Sequence, residues 1–259
     1  MAQLFDDVFH PERIYEMLFF NIKPVLIHST LGKLEAENKP MFERWNYFAK
    51  IRYSEKYSAD TNPEIIYKEN AVYYPEFTKA VAITYGTVYV ENGTRKRYMK
   101  KIVNENEFIV LETFMDELYQ LSSNAIQSSP QYFPILCGHN IISHDIPFLV
   151  KKHIFYRDKF DKKIPLILKR SLGIKPWESG IIDVVNVWKF NGFDNMPLML
   201  IGDYLGLKKT VDLLSLNEVS EKYWELAETD IEKALDFVSL QSATQTNMVL
   251  QLMNTLSQL

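Results

Sequence analysis

The chain has 259 residues, a formal net charge of −4 and 47% hydrophobic residues, enough apolar material for the packed core of one or two domains. An acidic balance argues against a general nucleic-acid coat, which needs a basic face, although it leaves room for a local basic groove. No two of the nine glycines are separated by a single residue, no Gly-Lys-Ser/Thr triplet occurs, and Cys137 stands alone, so dinucleotide turns, phosphate loops, intramolecular disulfides and Cys-rich zinc knuckles are excluded.

The first fifteen residues are acidic and interrupted by Pro11, unlike a signal peptide, and no apolar run approaches the ~18 residues of a membrane span. These features lead us to expect a soluble, intracellular protein. Met17–Ile27 is an apolar run broken only by Asn21 and Lys23, which predicts a buried central strand. From His28 to about Phe77 the chain turns polar and aromatic, with helical spacing over Glu43–Tyr57. This stretch predicts an excursion that leaves the first strand and returns to the sheet. Its aromatics (Trp45, Tyr47, Phe48, Tyr53, Tyr57, Tyr67, Tyr73 and Tyr74) suit either a partner surface or a covering layer over the sheet.

Lys79–Val90 predicts a second strand, Asn92-Gly93 a hairpin turn, and Thr94–Val103 a third strand. Glu105–Leu121 has the apolar spacing of an amphipathic helix, and Ser122–Pro130 is expected to be a loop. Phe133–Cys137 predicts a short strand running into Gly138-His139-Asn140. A helix over Asp145–Phe155 follows, with Pro147 in its first turn, where proline is tolerated. Ile181–Val185 predicts a fifth strand and Pro197–Leu205 a helix. The last long helix is expected to start at a capping box over Thr229–Glu232. A three-strand meander followed by helix–strand–helix–strand–helix predicts a mixed five-stranded α/β sheet with helices on both faces. We expect one domain over residues 1–259, with a helical and aromatic insertion at about 28–78.

Several blocks carry a family resemblance. They are Phe19–Lys23, Leu136–Asn140 followed by His144–Phe148, Lys175-Pro176-Trp177-Glu178, Ile182-Asp183 and Trp188–Phe190. In this order they resemble predicted 3′–5′ exonucleases of the ribonuclease H-like superfamily, the branch similar to the proofreading domain of family B DNA polymerases. The resemblance runs from about Leu18 to Leu252 and implies a ribonuclease H-like fold.

Enzymes of that family use four carboxylates: two from a strand motif Asp-x-Glu, one from an Asn-x3–4-Phe/His-Asp element and one from a helical Tyr-x3-Asp. Two Mg²⁺ ions about 3.5–4 Å apart need clustered anionic oxygens, because Mg²⁺ is a hard cation. Alternate strand positions share a face, and helical positions four apart share another. Here the strand motif reads Asn21-Ile22-Lys23, Asp145 retains the third carboxylate, and the helical pair reads Phe237 and Gln241. One carboxylate of the four remains.

The expected protein is therefore a catalytically inactive exonuclease relative that holds no metal or other cofactor; Mg²⁺ would enter only if the chain were active. The Lys23 ammonium is expected to take the metal's place and pair with Asp145. Asp183, at the end of the fifth strand, could face the old site, whereas Asp236 falls on a different helix face from Gln241. A structural or protein-interaction role in a larger assembly is the first expectation. Relatives of this kind occur in bacteria and their viruses, so the location would be the cytoplasm, or a virion if the chain is phage-encoded. Non-hydrolytic binding of a single strand is the alternative. His139, Asn140, His144, Trp177, Arg95 and Arg97 would then be the candidate contacts. For each, a structural role stands beside that reading: loop hydrogen bonding for the histidines, a packed anchor for Trp177, and a charge-guarded edge strand for the arginines.

Overall fold

All ten residues of strand β1 (Met17–Leu26) are buried, as a strand covered on both faces requires. In the computed structural model, which describes residues 10–55, 61–128, 134–171, 180–190, 192 and 195–258, β1 is the centre of a five-stranded sheet. The other strands are β2 (Thr78–Glu91), β3 (Thr94–Val103), β4 (Ile135–Gly138) and β5 (Ile181–Asp183), in the order β3-β2-β1-β4-β5. β1, β2 and β3 form an antiparallel meander, while β4 and β5 run parallel to β1. This mixed sheet, covered by helices on both faces, has the ribonuclease H-like topology expected from the sequence. The β2–β3 hairpin turns at Asn92 (φ 52°) and Gly93 (φ 72°), both in the left-handed region that a tight two-residue turn demands.

Ten α-helices lie among the described residues: α1 (Leu31–Glu37), α2 (Lys39–Arg52), α3 (Pro63–Asn70), α4 (Glu107–Ser128), α5 (Ile146–Phe155), α6 (Leu166–Ser171), α7 (Val184–Trp188), α8 (Leu198–Leu205), α9 (Leu216–Ala227) and α10 (Ile231–Leu256). Strand alternation sorts β1 between two layers. Leu18, Phe20 and Ile22 pack with Phe114 and Leu118 of α4 and Phe148 of α5. Met17 and Phe19 pack with Ile201 of α8 and Leu252 of α10, and Val25 packs with Tyr223 of α9 and Val238 of α10. Proline is tolerated at position 24 because the β1–β2 register shifts between Lys23 and Pro24.

The excursion between β1 and β2 forms α1, α2 and α3 around a core of its own. Trp45 is fully buried there, edge-on to Tyr67 at 5.5 Å and to Phe77 at 5.0 Å. Most of its aromatics are spent internally, whereas Tyr47 and Tyr73 are exposed.

Four expectations change. The fifth strand stops at Asp183 rather than Val185, because Val184 and Val185 open helix α7. Helix α4 continues to Ser128, so the predicted loop from Ser122 is helical over its first seven residues; the buried Ser122 hydroxyl donates to the Leu118 carbonyl 2.7 Å away. Helix α9 was not anticipated, although Ser215 and Glu218 form a capping box at its start. The last helix has no such box at Thr229; Asp230 is the cap, accepting the Lys233 N–H at 3.1 Å. No helix among the described residues is long and apolar enough to cross a membrane.

Candidate functional site

Asn21 and Lys23 alternate with Leu18, Phe20 and Ile22 along β1, so both face α10. Helix α10 meets them with polar groups: the Ser242 hydroxyl donates to the Asn21 carbonyl (3.1 Å), and Lys23 Nζ donates to Gln245 Oε1 (2.6 Å). A cavity of about 330 Å³ opens at this point. It brings together Asn21, Lys23, His139, Asn140, His144 and Asp145 from the predicted set, with Tyr73, Met196 and Gln245 also on its walls.

The loop after β4 positions Asp145. Gly138 permits it, since a Cβ there would meet the Phe20 carbonyl oxygen at 2.8 Å and the Ile141 side chain. Asn140 then turns the chain through a left-handed conformation (φ 64°), a region asparagine tolerates. The Asp183 carboxylate locks this turn by accepting the N–H groups of Asn140 (2.8 Å), Ile142 (3.1 Å) and Val185 (3.1 Å). Asp183 is thus occupied in shaping the loop, and burial raises its pKa even though these three donors oppose the rise. The chain leaves the turn as a π-helical segment over Ile141–Asp145, which delivers Asp145 to the cleft at the head of α5.

Both Asp145 oxygens have near partners. Oδ2 accepts the Ile22 N–H at 3.3 Å, and Oδ1 lies 2.7 Å from His144 Nδ1. The expected direct pair of Asp145 with Lys23 does not form: the ammonium bonds to the Gln245 amide oxygen, and no ion pair joins the two residues among the described contacts. Burial pushes the Lys23 ammonium down to about 8, and the charge of Asp145, acting through space, opposes that fall.

Three buried polar atoms on residues lining the cleft have no partner among the described residues: Asn21 Oδ1, His139 Nε2 and His144 Nε2. Burial also lowers the His139 pKa, which favours the neutral imidazole. The donor set does not fit a pair of Mg²⁺ ions. The cleft offers one carboxylate, one ammonium, amides and imidazoles, and among the described residues no group of three or more His, Cys, Asp or Glu is placed to hold a metal ion.

Other predicted residues lie elsewhere. Phe237 packs against the core cluster that includes Val25, Val81 and Val238, and Gln241 spans the Asp212 carbonyl (2.9 Å) and the Leu214 N–H (3.0 Å). The side chain that α10 presents to Lys23 is Gln245, one helical turn later. Gln241-x3-Gln245 has the same spacing as Phe237-x3-Gln241, so spacing could not choose between the two turns.

Arg95 and Arg97 are on edge strand β3, where they bond to Asn254 (2.5 Å) and Asn247 (2.7 Å) of α10. Lys96 pairs with Glu91, Lys100 with Glu117, Lys151 with Glu76 and Lys162 with Asp116, so these four lysines have acidic partners within the chain, while Arg95 and Arg97 meet neutral amides. Asp236 is exposed, and the Lys175–Glu178 block with Trp177 lies outside the described residues. A scan against protein-family models, a search of curated proteins and a search of solved structures each returned no match.

Proposed function

We propose that this chain is a catalytically silent ribonuclease H-like module that acts by binding, in a protein-interaction or architectural role within a larger assembly. The observation that carries this reading is the Lys23–Gln245 contact at the centre of the cleft. It sets the Lys23 ammonium, at the position matched to the Glu of the resembled strand motif, against a neutral amide. An Mg²⁺ ion at contact distance from that ammonium would be repelled by several kcal/mol in a semi-buried site, and Asp145 alone does not offset this. The net charge of −4 and the acidic partners of Lys96, Lys100, Lys151 and Lys162 also favour a protein partner over a polyanion.

A second reading is non-hydrolytic binding of a single strand. One observation favours it: the half-exposed ring of Tyr73 lines the same cleft as Lys23, His139, Asn140 and His144, and strands are held by aromatic stacking beside cations. A labelled 3′-ended oligonucleotide titrated with Mg²⁺ and Mn²⁺, with binding and cleavage scored separately, tests both readings. The expected result is no cleavage at any metal concentration. Metal-dependent degradation overturns the silent module. Binding without degradation moves the conclusion to the second reading, and neither event supports the protein-interaction role.

A further inference from the structure

We infer that the cleft and the apolar strip beside it are a docking site for a segment of a partner protein, which sets one Asp or Glu carboxylate on Lys23 and apolar side chains on Met196, Leu200 and Tyr204. The inference rests on the cleft being catalytically silent. Lys23 is the sole Lys or Arg among the described residues lining the cavity. An ammonium has three N–H donors, and the one hydrogen bond that Lys23 makes among the described residues goes to a neutral oxygen of Gln245. Asp145 shares the cavity but directs its oxygens to the Ile22 N–H and to His144. The floor of the cleft therefore holds a cation able to accept one more anionic partner.

The wall supplies the rest. Met196 lines the cavity in the segment just before α8, and Leu200 and Tyr204, four residues apart, share one face of that helix. All three are exposed, Leu200 at 53% and Tyr204 at 80%, and Tyr73 is half-exposed elsewhere on the cavity wall. Tyrosine and methionine are enriched at protein–protein interfaces.

Charge complementarity selects the occupant. A nucleic-acid strand brings one phosphate per nucleotide and needs a run of cations along its path. A single buried lysine answers a single carboxylate, and a charge-assisted bond gains strength in such a shielded place. The cavity of about 330 Å³ is at the small end of ligand pockets, with room for an inserted side chain.

The test selects a random 12-residue peptide display library on the wild-type protein, with Lys23→Met as the counter-target. Enriched sequences should share an acidic residue next to aromatic or aliphatic ones. Their synthetic forms should lose at least tenfold in affinity when that acid is replaced by its amide, and a similar factor on Lys23→Met. Because Lys23 is buried, Leu200→Ser and Tyr204→Ser provide a second measure at exposed positions, each expected to weaken binding roughly three- to tenfold. Absence of enriched peptides, or binders indifferent to the acid and to both serine variants, overturns the inference. A 3′-ended oligonucleotide that outcompetes every peptide and loses binding on Lys23→Met also overturns it, by placing a strand in the cleft. Metal-dependent cleavage would sink the silent-module reading itself. Failure to enrich acidic peptides without any cleavage sinks only the docking site.

Discussion

Two lysines among the described residues are buried, and their surroundings differ. Lys152 of α5 sits 3.0 Å from the Glu107 carboxylate and also donates to the Thr78 carbonyl. Glu107 in turn accepts the Ala80 N–H at 2.7 Å and the Tyr156 hydroxyl at 2.9 Å. This cluster ties α4, α5 and β2 together and leaves no buried side-chain polar atom of its members unpaired. Lys23 instead has an amide partner, and its neighbours on the cleft wall include three unpaired buried polar atoms. A saturated network holds the fold in place, whereas the unpaired groups beside Lys23 are the ones the proposed docking segment would meet.

The largest expected effect breaks the saturated side of the contrast. Glu107→Ala strands the Lys152 charge in the core and should cost about 3–5 kcal/mol in urea denaturation. Lys23→Met should cost nothing at pH 7, or stabilise by about 1–3 kcal/mol, because it removes a buried charge with no direct counter-ion. A loss on Lys23→Met as large as that on Glu107→Ala would dissolve the comparison.

The pH dependence is the next largest effect. The Lys23 pKa falls from 10.5 unfolded to about 8 folded, so between these values the unfolded chain binds more protons. Stability attributable to Lys23 therefore rises with pH across that window, by roughly 1.4 kcal/mol per unit, or about 2 kcal/mol from pH 8 to 9.5. Asp145 and His139 are the titratable groups whose charges act on it or are acted on by it. The difference between wild type and Lys23→Met isolates the effect, and the variant's advantage should shrink by that amount. A difference that stays flat with pH contradicts it.

Gly138→Ala should cost about 1–2 kcal/mol, since the new Cβ presses on the Phe20 carbonyl and Ile141 just where the loop leaves for Asp145. Any ligand bound in the cleft should weaken with it, and unchanged binding would mean that the loop is not held by this close approach. The smallest effect is on the surface: Glu91→Gln breaks the exposed pair with Lys96 and should change stability by less than about 0.5 kcal/mol.

Much of the fold was readable from local chemistry. The apolar run of β1, the Asn92-Gly93 turn and the β3 span all follow from period and turn residues. Helix α9 has a local signal as well, since Ser215-x2-Glu218 is a capping box, but polar residues surround it and weaken its apolar period. The α4 extension could not be foreseen, because a serine in a helix depends on back-bonding of its hydroxyl. Within the cleft, Asn21, Lys23, His139, Asn140, His144 and Asp145 were named from sequence. Tyr73, Met196 and Gln245 come from the excursion, the segment before α8 and the last helix. Helical period states which residues share a face, not which turn of that face meets a given strand residue.

From the amino-acid sequence alone it followed that a lysine and an asparagine stand in the central strand and that strand alternation aims both at one face. Tertiary structure decided which group answers the lysine. Gln245 lies 222 residues along the chain from Lys23, and only the packing of α10 on β1 and β2 sets which of its turns arrives. Asp145 reaches the same cleft by a separate route, with its oxygens engaged by Ile22 and His144, so the expected ion pair gives way to an amide contact.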